Sequence, residues 1–490
     1  MPSVSRRVVI IGGGIAGLTS AYMLVDGRMT QGQRGPPITC TLIEAAPTLG
    51  GKILTEAVDG FVVEGGPDSF LAQKPWGLEL CRRLGLADRL IGTDPDRRRT
   101  FVLSEGRMRE LPEGLVMGLP TKLGPFLRSG LLSWPGKLRL AADLVVPRRH
   151  QTGDESLGSF FRRRLGAEAL ERIIEPLLSG IYAGDADQLS ILATFPRFRE
   201  MEQADGSLIR SLLAAWWKQR ATGEKEESRW TPFVTLRGGL ADMVQALTVR
   251  LKDVTILTGQ RAHAVRARGG GSGYEVLLEG GLPIPADAVV LATPAFDAAS
   301  LIEPLNRTLA EMLRGIPYTS TATVSLGFRK EGFSHELEGY GFVVPRVEGR
   351  LLLASTWTSS KWKHRAPNGA VLIRSYLGGT GRETVLDRTD DELVEFVRAE
   401  LRDTMGIEEE PLLSKVFRWP RAMPQYLVGH MDRLGVMDEM LTRLPGIFLT
   451  GAGYRGVGLP DCIRDGELTA EKVFRYVDRG VSPSASDCTL

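Results

Sequence analysis

A glycine run set between a strand and a helix is the pattern in this chain that most directly implies chemistry. Gly12, Gly13, Gly14, Ile15, Ala16 and Gly17 follow the β-branched run Val8-Val9-Ile10-Ile11 and open an apolar stretch predicted to be helical from about Ile15 to Val25. The first glycine permits a tight turn, the second lets backbone approach a pyrophosphate, and the third lets the helix lie close on the strand. Free N–H groups at the helix start, aided by its dipole, then face the phosphates. The next predicted strand, Thr39–Ile43, ends at Glu44, where a carboxylate can accept both hydroxyl hydrogens of an adenosine ribose. The interval from Gly17 to Glu44 exceeds the usual ~20 residues. Its surplus falls in Gly27–Pro37, which reads as a surface loop.

Gly50-Gly51-Lys52 follows the acid, and then Phe61-Val62-Val63-Glu64-Gly65-Gly66-Pro67-Asp68-Ser69. Far downstream a strand at Gly446–Thr450 runs into Gly451-Ala452-Gly453, and Gly456-Val457-Gly458-Leu459-Pro460-Asp461 leads into a helix predicted near Cys462–Arg475. A glycine pair soon after the ribose acid resembles the extended fingerprint of flavoproteins in the amine-oxidase-like superfamily. The later strand–glycine–helix passage is where that superfamily closes its flavin site. A helix N-terminus there supports negative charge as a flavin is reduced.

The elements that must position these residues are bounded by the composition. A chain of 490 residues allows two to four domains. A net charge of +2 offers no global basic field for nucleic acid. Cys40, Cys81, Cys462 and Cys488 are too sparse for a disulfide scaffold, so a reducing cytoplasm is expected. The uncharged run from Val8 to Val25, preceded by Arg6-Arg7, imitates an export signal. The glycines in its middle and its division into strand and helix argue against that, and no transmembrane span is predicted. The five histidines (His150, His263, His335, His364 and His430) do not pair at metal-ligand spacing, and neither Cys-x-x-Cys nor His-Glu-x-x-His occurs. No metal is expected and no catalytic side chain is assigned: the hard chemistry falls to a cofactor.

Several stretches resemble the oxygen-dependent porphyrinogen oxidases of haem synthesis, the protoporphyrinogen/coproporphyrinogen III oxidase family. They are Gly66–Leu71, Met117–Lys122, Glu175–Gly184, Met423–Tyr426 with Gly429-His430, and Gly456–Cys462. The resemblance runs from Val8 to about Arg475. It implies an α/β protein with a discontinuous Rossmann-like FAD-binding domain, a mixed-sheet substrate domain and a helical insert. The FAD domain is expected at residues 1–75, 231–300 and 436–478, the substrate domain at 76–99 and 301–435, and the membrane-facing helical insert at 100–230. Residues 479–490 are expected to form a flexible tail. Helix-like apolar periodicity through 100–230 supports the insert independently. Strand signals at Val254–Leu257, Ala288–Pro294, Thr319–Gly327 and Leu351–Thr358 support the two sheets, and Gly269–Gly271 reads as a hairpin loop.

Residue by residue, the resemblance implies that Gly12 through Gly17 cradle the diphosphate and that Glu44 with Ala45 hold the ribose. Lys52, Gly66, Pro67, Asp68, Ser69, Trp419, Val457, Gly458 and Leu459 would meet the cofactor, and Ala262 would face the adenine. For the substrate, Lys74 is the candidate partner of a propionate, and Ile181 the candidate packing surface for the macrocycle. Thr100 stands where relatives of the protoporphyrinogen type can place an arginine. The implied reaction takes hydride from a saturated porphyrinogen carbon to FAD and a proton from a pyrrole nitrogen. Oxygen then reoxidises the flavin with release of peroxide. Three cycles give the porphyrin. Coproporphyrinogen III is the expected substrate, with protoporphyrinogen IX as the alternative. A flavin amine oxidase, a carotenoid desaturase and a non-catalytic flavoprotein are more distant alternatives. Basic residues among the apolar residues of 119–149, together with Leu212–Trp217, suggest peripheral contact with the inner face of the cell membrane.

Overall fold

The computed structural model describes residues 5–478, apart from 27–36, 113, 117–118, 121–122, 150–152, 223–229, 270–272, 332 and 334. The surface loop expected at Gly27–Pro37, much of the Met117–Lys122 stretch, the tip of the Gly269–Gly271 hairpin and the tail after Asp478 therefore lie largely or wholly outside the described residues.

The strand Arg6–Ile11 sits in the middle of a five-stranded sheet. Its order is Val254–Thr258, Ile38–Glu44, Arg6–Ile11, Ala288–Leu291 and Ile447–Leu449, every pair parallel. Ile11 lies opposite Ile43 on one side and Leu291 on the other. Both faces of a parallel sheet are covered, which explains why its strands read as continuous apolar runs. On one face Val8, Ile10, Leu42 and Val290 pack with the helices Ile15–Val25 and Leu459–Asp478. On the other, Val9, Ile11, Ile43 and Leu291 meet Val265 and Val276 of a three-stranded antiparallel sheet and the helix Ala295–Ile302. The uncharged run at the N-terminus is thus a strand and a helix, as its sequence implies.

A second sheet has seven strands, ordered Leu413–Pro424, Tyr318–Arg329, Ala370–Gly378, Leu352–Thr356, Gly341–Val343, Thr100–Ser104 and Arg107–Glu110. Only the pairing of Gly341–Val343 with Thr100–Ser104 is parallel. The helix Asp390–Met405 covers it through Leu393, Val397, Leu401 and Met405. A capping box between Thr389 and Glu392 starts that helix by satisfying its orphan N–H groups.

Residues 100–110 differ from the helical reading of the region that begins at Thr100. They form a hairpin that extends the seven-stranded sheet, because Phe101 and Val102 find β partners in Phe342 and Val343 more than two hundred residues away. Helical periodicity begins after it. Leu157, Phe160, Phe161, Ile173 and Ile174 build the core of a helical layer. Within it Arg164 and Asp143 are fully buried against each other, and Ser207 donates to Asp143 at 2.6 Å. Among the described residues no helix is long and apolar enough to cross a membrane.

Candidate functional site

The first glycine loop is shaped by contacts that exclude side chains. Gly12 has φ +111° and donates its N–H to the Ile43 carbonyl at 2.8 Å. A Cβ on Gly17 would lie 2.0 Å from the Gly12 carbonyl oxygen, so the helix approaches the strand as closely as backbone allows. A Cβ on Gly14 would meet no protein atom within 4 Å. Its side of the loop opens outward at the helix start, where Ile15, Ala16 and Gly17 bring backbone N–H groups without an intrahelical acceptor. Glu44 closes the loop from the next strand, its Oε2 accepting from Gly13 N and its Oε1 from Ala46 N, both at 2.7 Å, with exposed Ala45 between. Gly50 N donates to Gly13 O at 2.9 Å, which lays the second glycine pair alongside the first. Ala262 begins its strand just beyond Gln260, whose N–H donates to the Glu44 carbonyl at 3.0 Å.

Lys52 continues from that pair into the protein. Its ammonium donates to the Ala422 carbonyl, and burial pulls its pKa down despite the nearby Cys462. The Lys52 carbonyl leaves no room for a Cβ on Gly66, which would fall 1.7 Å away. Three donors from the seven-stranded sheet converge on the neighbouring Gly65 carbonyl: Trp419 Nε1 at 2.8 Å, Arg374 Nη2 at 2.9 Å and Thr323 Oγ1 at 3.2 Å. Arg374 also donates to Gly66 O at 2.5 Å. Half-exposed Pro67 follows, and then Asp68, which accepts from Ser69 Oγ at 2.6 Å and lies 3.3 Å from Lys361. Burial alone would raise the Asp68 pKa, but Lys361 and Arg374 outweigh it and hold this carboxylate well below its usual range.

The second glycine loop is latched from two sides. Asp465 accepts from Thr450 Oγ1 at 2.8 Å and Gly451 N at 2.9 Å. Tyr426 donates its hydroxyl to Ala452 O at 2.5 Å and accepts from Gly456 N at 2.9 Å. Beneath it His430 stacks on the Tyr426 ring at 4.2 Å and bonds Tyr454 O at 2.8 Å. Half-buried Val457 and Gly458 lead into buried Leu459, which starts the terminal helix. Cys462, one turn in, is pushed up to about 12 by burial and stays a neutral thiol. Helices Ile15–Val25 and Leu459–Asp478 then pack so closely that a Cβ on Gly466 would stand 2.6 Å from Ala16 O, and Ser20 Oγ donates to Gly466 O at 3.0 Å.

Of the substrate candidates, Lys74 is held by Asp461 of the terminal helix at 2.5 Å and 2.7 Å to its two oxygens. Ile181 stands 44% exposed at the end of the helix Glu175–Tyr182. The following carbonyl, of Tyr182, accepts from Gln425 Nε2 at 2.8 Å, and the Tyr182 hydroxyl feels the charge of Asp461. Sequence reasoning missed Asp461, Arg374, Lys361 and Tyr426 as parts of the site. Arg374 carried a signal: it interrupts the apolar strand Ala370–Gly378, where an unpaired charge is not tolerated.

One line of contacts thus joins the glycine loop, Glu44, Gly50–Lys52, Gly65–Ser69, Trp419 and the terminal helix. An outward-facing glycine at a helix start and an acid on the adjoining strand fit a dinucleotide; the Gly65–Ser69 segment and the terminal helix N-terminus fit a ring system that takes on negative charge. Fold and site together define a dinucleotide-binding oxidoreductase of the flavoprotein class.

The model of the flavin containing amine oxidoreductase family matches residues 15–474. The coproporphyrinogen III oxidase of Bacillus subtilis is 38% identical over 97% of this chain and all of its own length. Protoporphyrinogen oxidase 1 of Arabidopsis chloroplasts is 33% identical over 97% of this chain and 89% of its own. A crystal structure from Exiguobacterium sp. 255-15 superimposes with a TM-score of 0.83 at 34% identity, covering 96% of this chain and 99% of that one. Putrescine oxidase, at 16% identity and a TM-score of 0.68, shares the fold. The chain belongs to the flavin containing amine oxidoreductases, on their porphyrinogen-oxidase branch, and FAD is its cofactor.

Proposed function

We propose that this protein oxidises coproporphyrinogen III to coproporphyrin III in haem biosynthesis, using FAD and molecular oxygen and releasing peroxide. The observation that carries this reading is near full-length likeness to coproporphyrinogen III oxidases, among them the Bacillus subtilis enzyme. The reading assigns Gly12–Gly17 to the diphosphate, Glu44 and Ala45 to the ribose, and Ala262 to the adenine. Lys52, Gly66–Ser69, Trp419 and Val457–Leu459 are assigned to the flavin. When bound, FAD supplies hydride acceptance. The chain's own part is position: three donors fix the Gly65 carbonyl, Asp68 is kept ionised, and the terminal helix directs its N-terminus to the site. Cys462 stays a neutral thiol and the Lys52 ammonium is engaged by the Ala422 carbonyl, so the reading assigns neither as base and lets the pyrrole protons leave to solvent.

The reading also assigns the five-stranded sheet to the FAD domain and the seven-stranded sheet to the substrate domain, with residues 100–110 moved from the insert to that sheet. Peripheral membrane contact is proposed for the insert. Trp134, 66% exposed, and Leu138 stand on one helix and Trp217, 63% exposed, on another; Val145 follows the first, and Arg210 of the second donates to Leu144 O at 2.6 Å. Aromatic and aliphatic side chains beside Arg and Lys suit an anionic lipid surface. Oxygen consumption and porphyrin fluorescence with coproporphyrinogen III and protoporphyrinogen IX side by side test the function. Turnover of the first in preference is expected; inactivity on both would overturn it.

A further inference from the structure

A cavity lies between the seven-stranded sheet and the helix that presents Ile181. It is bordered by Glu175 at that helix's start, by Ala183 and Gly184 just past its end, and by Gly379, Arg346 and Arg382 from the sheet side. Gly379 has φ +82° and comes so close to Ala183 that a Cβ there would meet the Ala183 carbonyl oxygen at 2.7 Å. The interior is small, about 10 Å³, and takes one oxygen-sized group but no ring.

Its lining carries two guanidinium groups and one carboxylate, with Asp185 and Asp187 acting on Glu175 from outside it. Arg346 donates Nε to Glu175 at 3.0 Å and Nη2 to Thr380 O at 2.9 Å, so the acid in the cavity is already engaged. Arg382 is half-buried, and its Nη1 is fully buried with no hydrogen-bond partner. Two guanidinium groups face one carboxylate, and a buried donor without an acceptor is costly. Burial, then Arg346, push the Arg382 pKa down, while Glu175 only partly opposes them. An anion placed here would satisfy the orphan donor and the excess charge together. Lys74 differs: it is already paired with Asp461.

We propose that this cavity is a carboxylate subsite in which Arg382 recognises one ring carboxylate of the substrate. The inference rests on the porphyrinogen reading and deepens it. Coproporphyrinogen III carries a propionate on every pyrrole ring and protoporphyrinogen IX on only half of them, so a subsite for an additional carboxylate discriminates between the two. One carboxylate oxygen enters the cavity, while the macrocycle stays outside, against Ile181.

The test is steady-state kinetics of the FAD-loaded, full-length protein on both substrates, for wild type, Arg382→Leu, Arg382→Gln and Arg382→Lys. Binding of the two product porphyrins is followed by fluorescence, and sodium formate serves as a free-anion probe. Loss of a charge-assisted hydrogen bond should raise KM for coproporphyrinogen III about tenfold more than for protoporphyrinogen IX in the Leu and Gln variants. The Lys variant should recover part of the loss, kcat should change little, and coproporphyrin III binding should weaken in parallel. Formate should compete with coproporphyrinogen III in wild type and not in Arg382→Leu. Equal effects on both substrates, or none, would overturn the subsite while leaving the oxidase reading intact. Formate binding without any change in substrate preference would assign the cavity to a free anion and overturn it as well. Wild-type protein that oxidises neither porphyrinogen would remove the oxidase reading and this inference with it.

Discussion

Trp419 donates its indole N–H to the Gly65 carbonyl at 2.8 Å, so one sheet grips, by its backbone, a segment that continues from the nucleotide-binding loops of the other. Thr323 and Arg374 reach the same oxygen from the next two strands of that sheet. A single carbonyl therefore gathers donors from three strands of the seven-stranded sheet.

Removing one of these donors should be graded by charge. Trp419→Phe leaves Gly65 with two donors and should cost about 1 kcal/mol. Arg374→Met strips a buried cation from Asp68 as well and should cost about 3–5 kcal/mol. Urea denaturation of the apoprotein measures both, and FAD retention on gel filtration should fall in the same order.

Two glycines of the first loop should separate folding from cofactor binding. Gly17→Ala drives a methyl group into the Gly12 carbonyl and should destabilise the apoprotein by about 2 kcal/mol or more. Gly14→Ala adds a methyl group where no protein atom lies within 4 Å. Its apoprotein stability should stay within about 0.5 kcal/mol of wild type. Its FAD affinity, read by flavin fluorescence quenching, should drop sharply, because on the proposed assignment the methyl group takes the diphosphate's approach.

Asp68 should set part of the acid limit of stability. Its folded pKa is depressed, so its contribution is fully present above the unfolded value of about 3.9 and is lost as pH falls from there through the folded pKa. Asp68→Asn should be less stable than wild type at pH 7, and the gap should shrink as pH drops below about 4. Urea midpoints across that range check the sign. A gap that widens towards acid would be the wrong outcome.

The strand, turn and helix that frame the candidate nucleotide site were legible because their determinants are local. Val8–Ile11, Gly12–Gly17 and Glu44 announce a strand, a turn and an acid within one stretch of chain, and the structure places them so. Thr100–Glu110 was misread because helical periodicity in the rest of the insert dominated; its two strands pair locally around Glu105-Gly106, and only their sheet partner Gly341–Val343 lies far downstream. The Lys74–Asp461 pair joins residues 387 positions apart and could not be read from spacing. Tyr426 stood in a motif, but only geometry shows its hydroxyl holding Ala452 and Gly456 at once.

The exposed tryptophans make the membrane proposal measurable. The combined substitution Trp134→Ser, Leu138→Ser and Trp217→Ser should lower flotation with anionic vesicles several-fold at low salt, leaving soluble turnover of porphyrinogen near wild type. Equal flotation of the variant and wild type would count against the patch.

The order of strands in the five-stranded sheet fixes when the cofactor cradle can exist. Arg6–Ile11 precedes its neighbour Ala288–Leu291 by more than two hundred residues, and the strand Ile447–Leu449 and the helix that covers Ile15–Val25 come later still in the chain. Without them the glycine loop has an uncovered helix and an open sheet edge behind it, a state prone to wrong pairing. The two helices can therefore pack only once Leu459–Asp478 has formed, and a chain cut before Ile447 keeps Gly12–Gly17 without the strand and the helix that complete their packing.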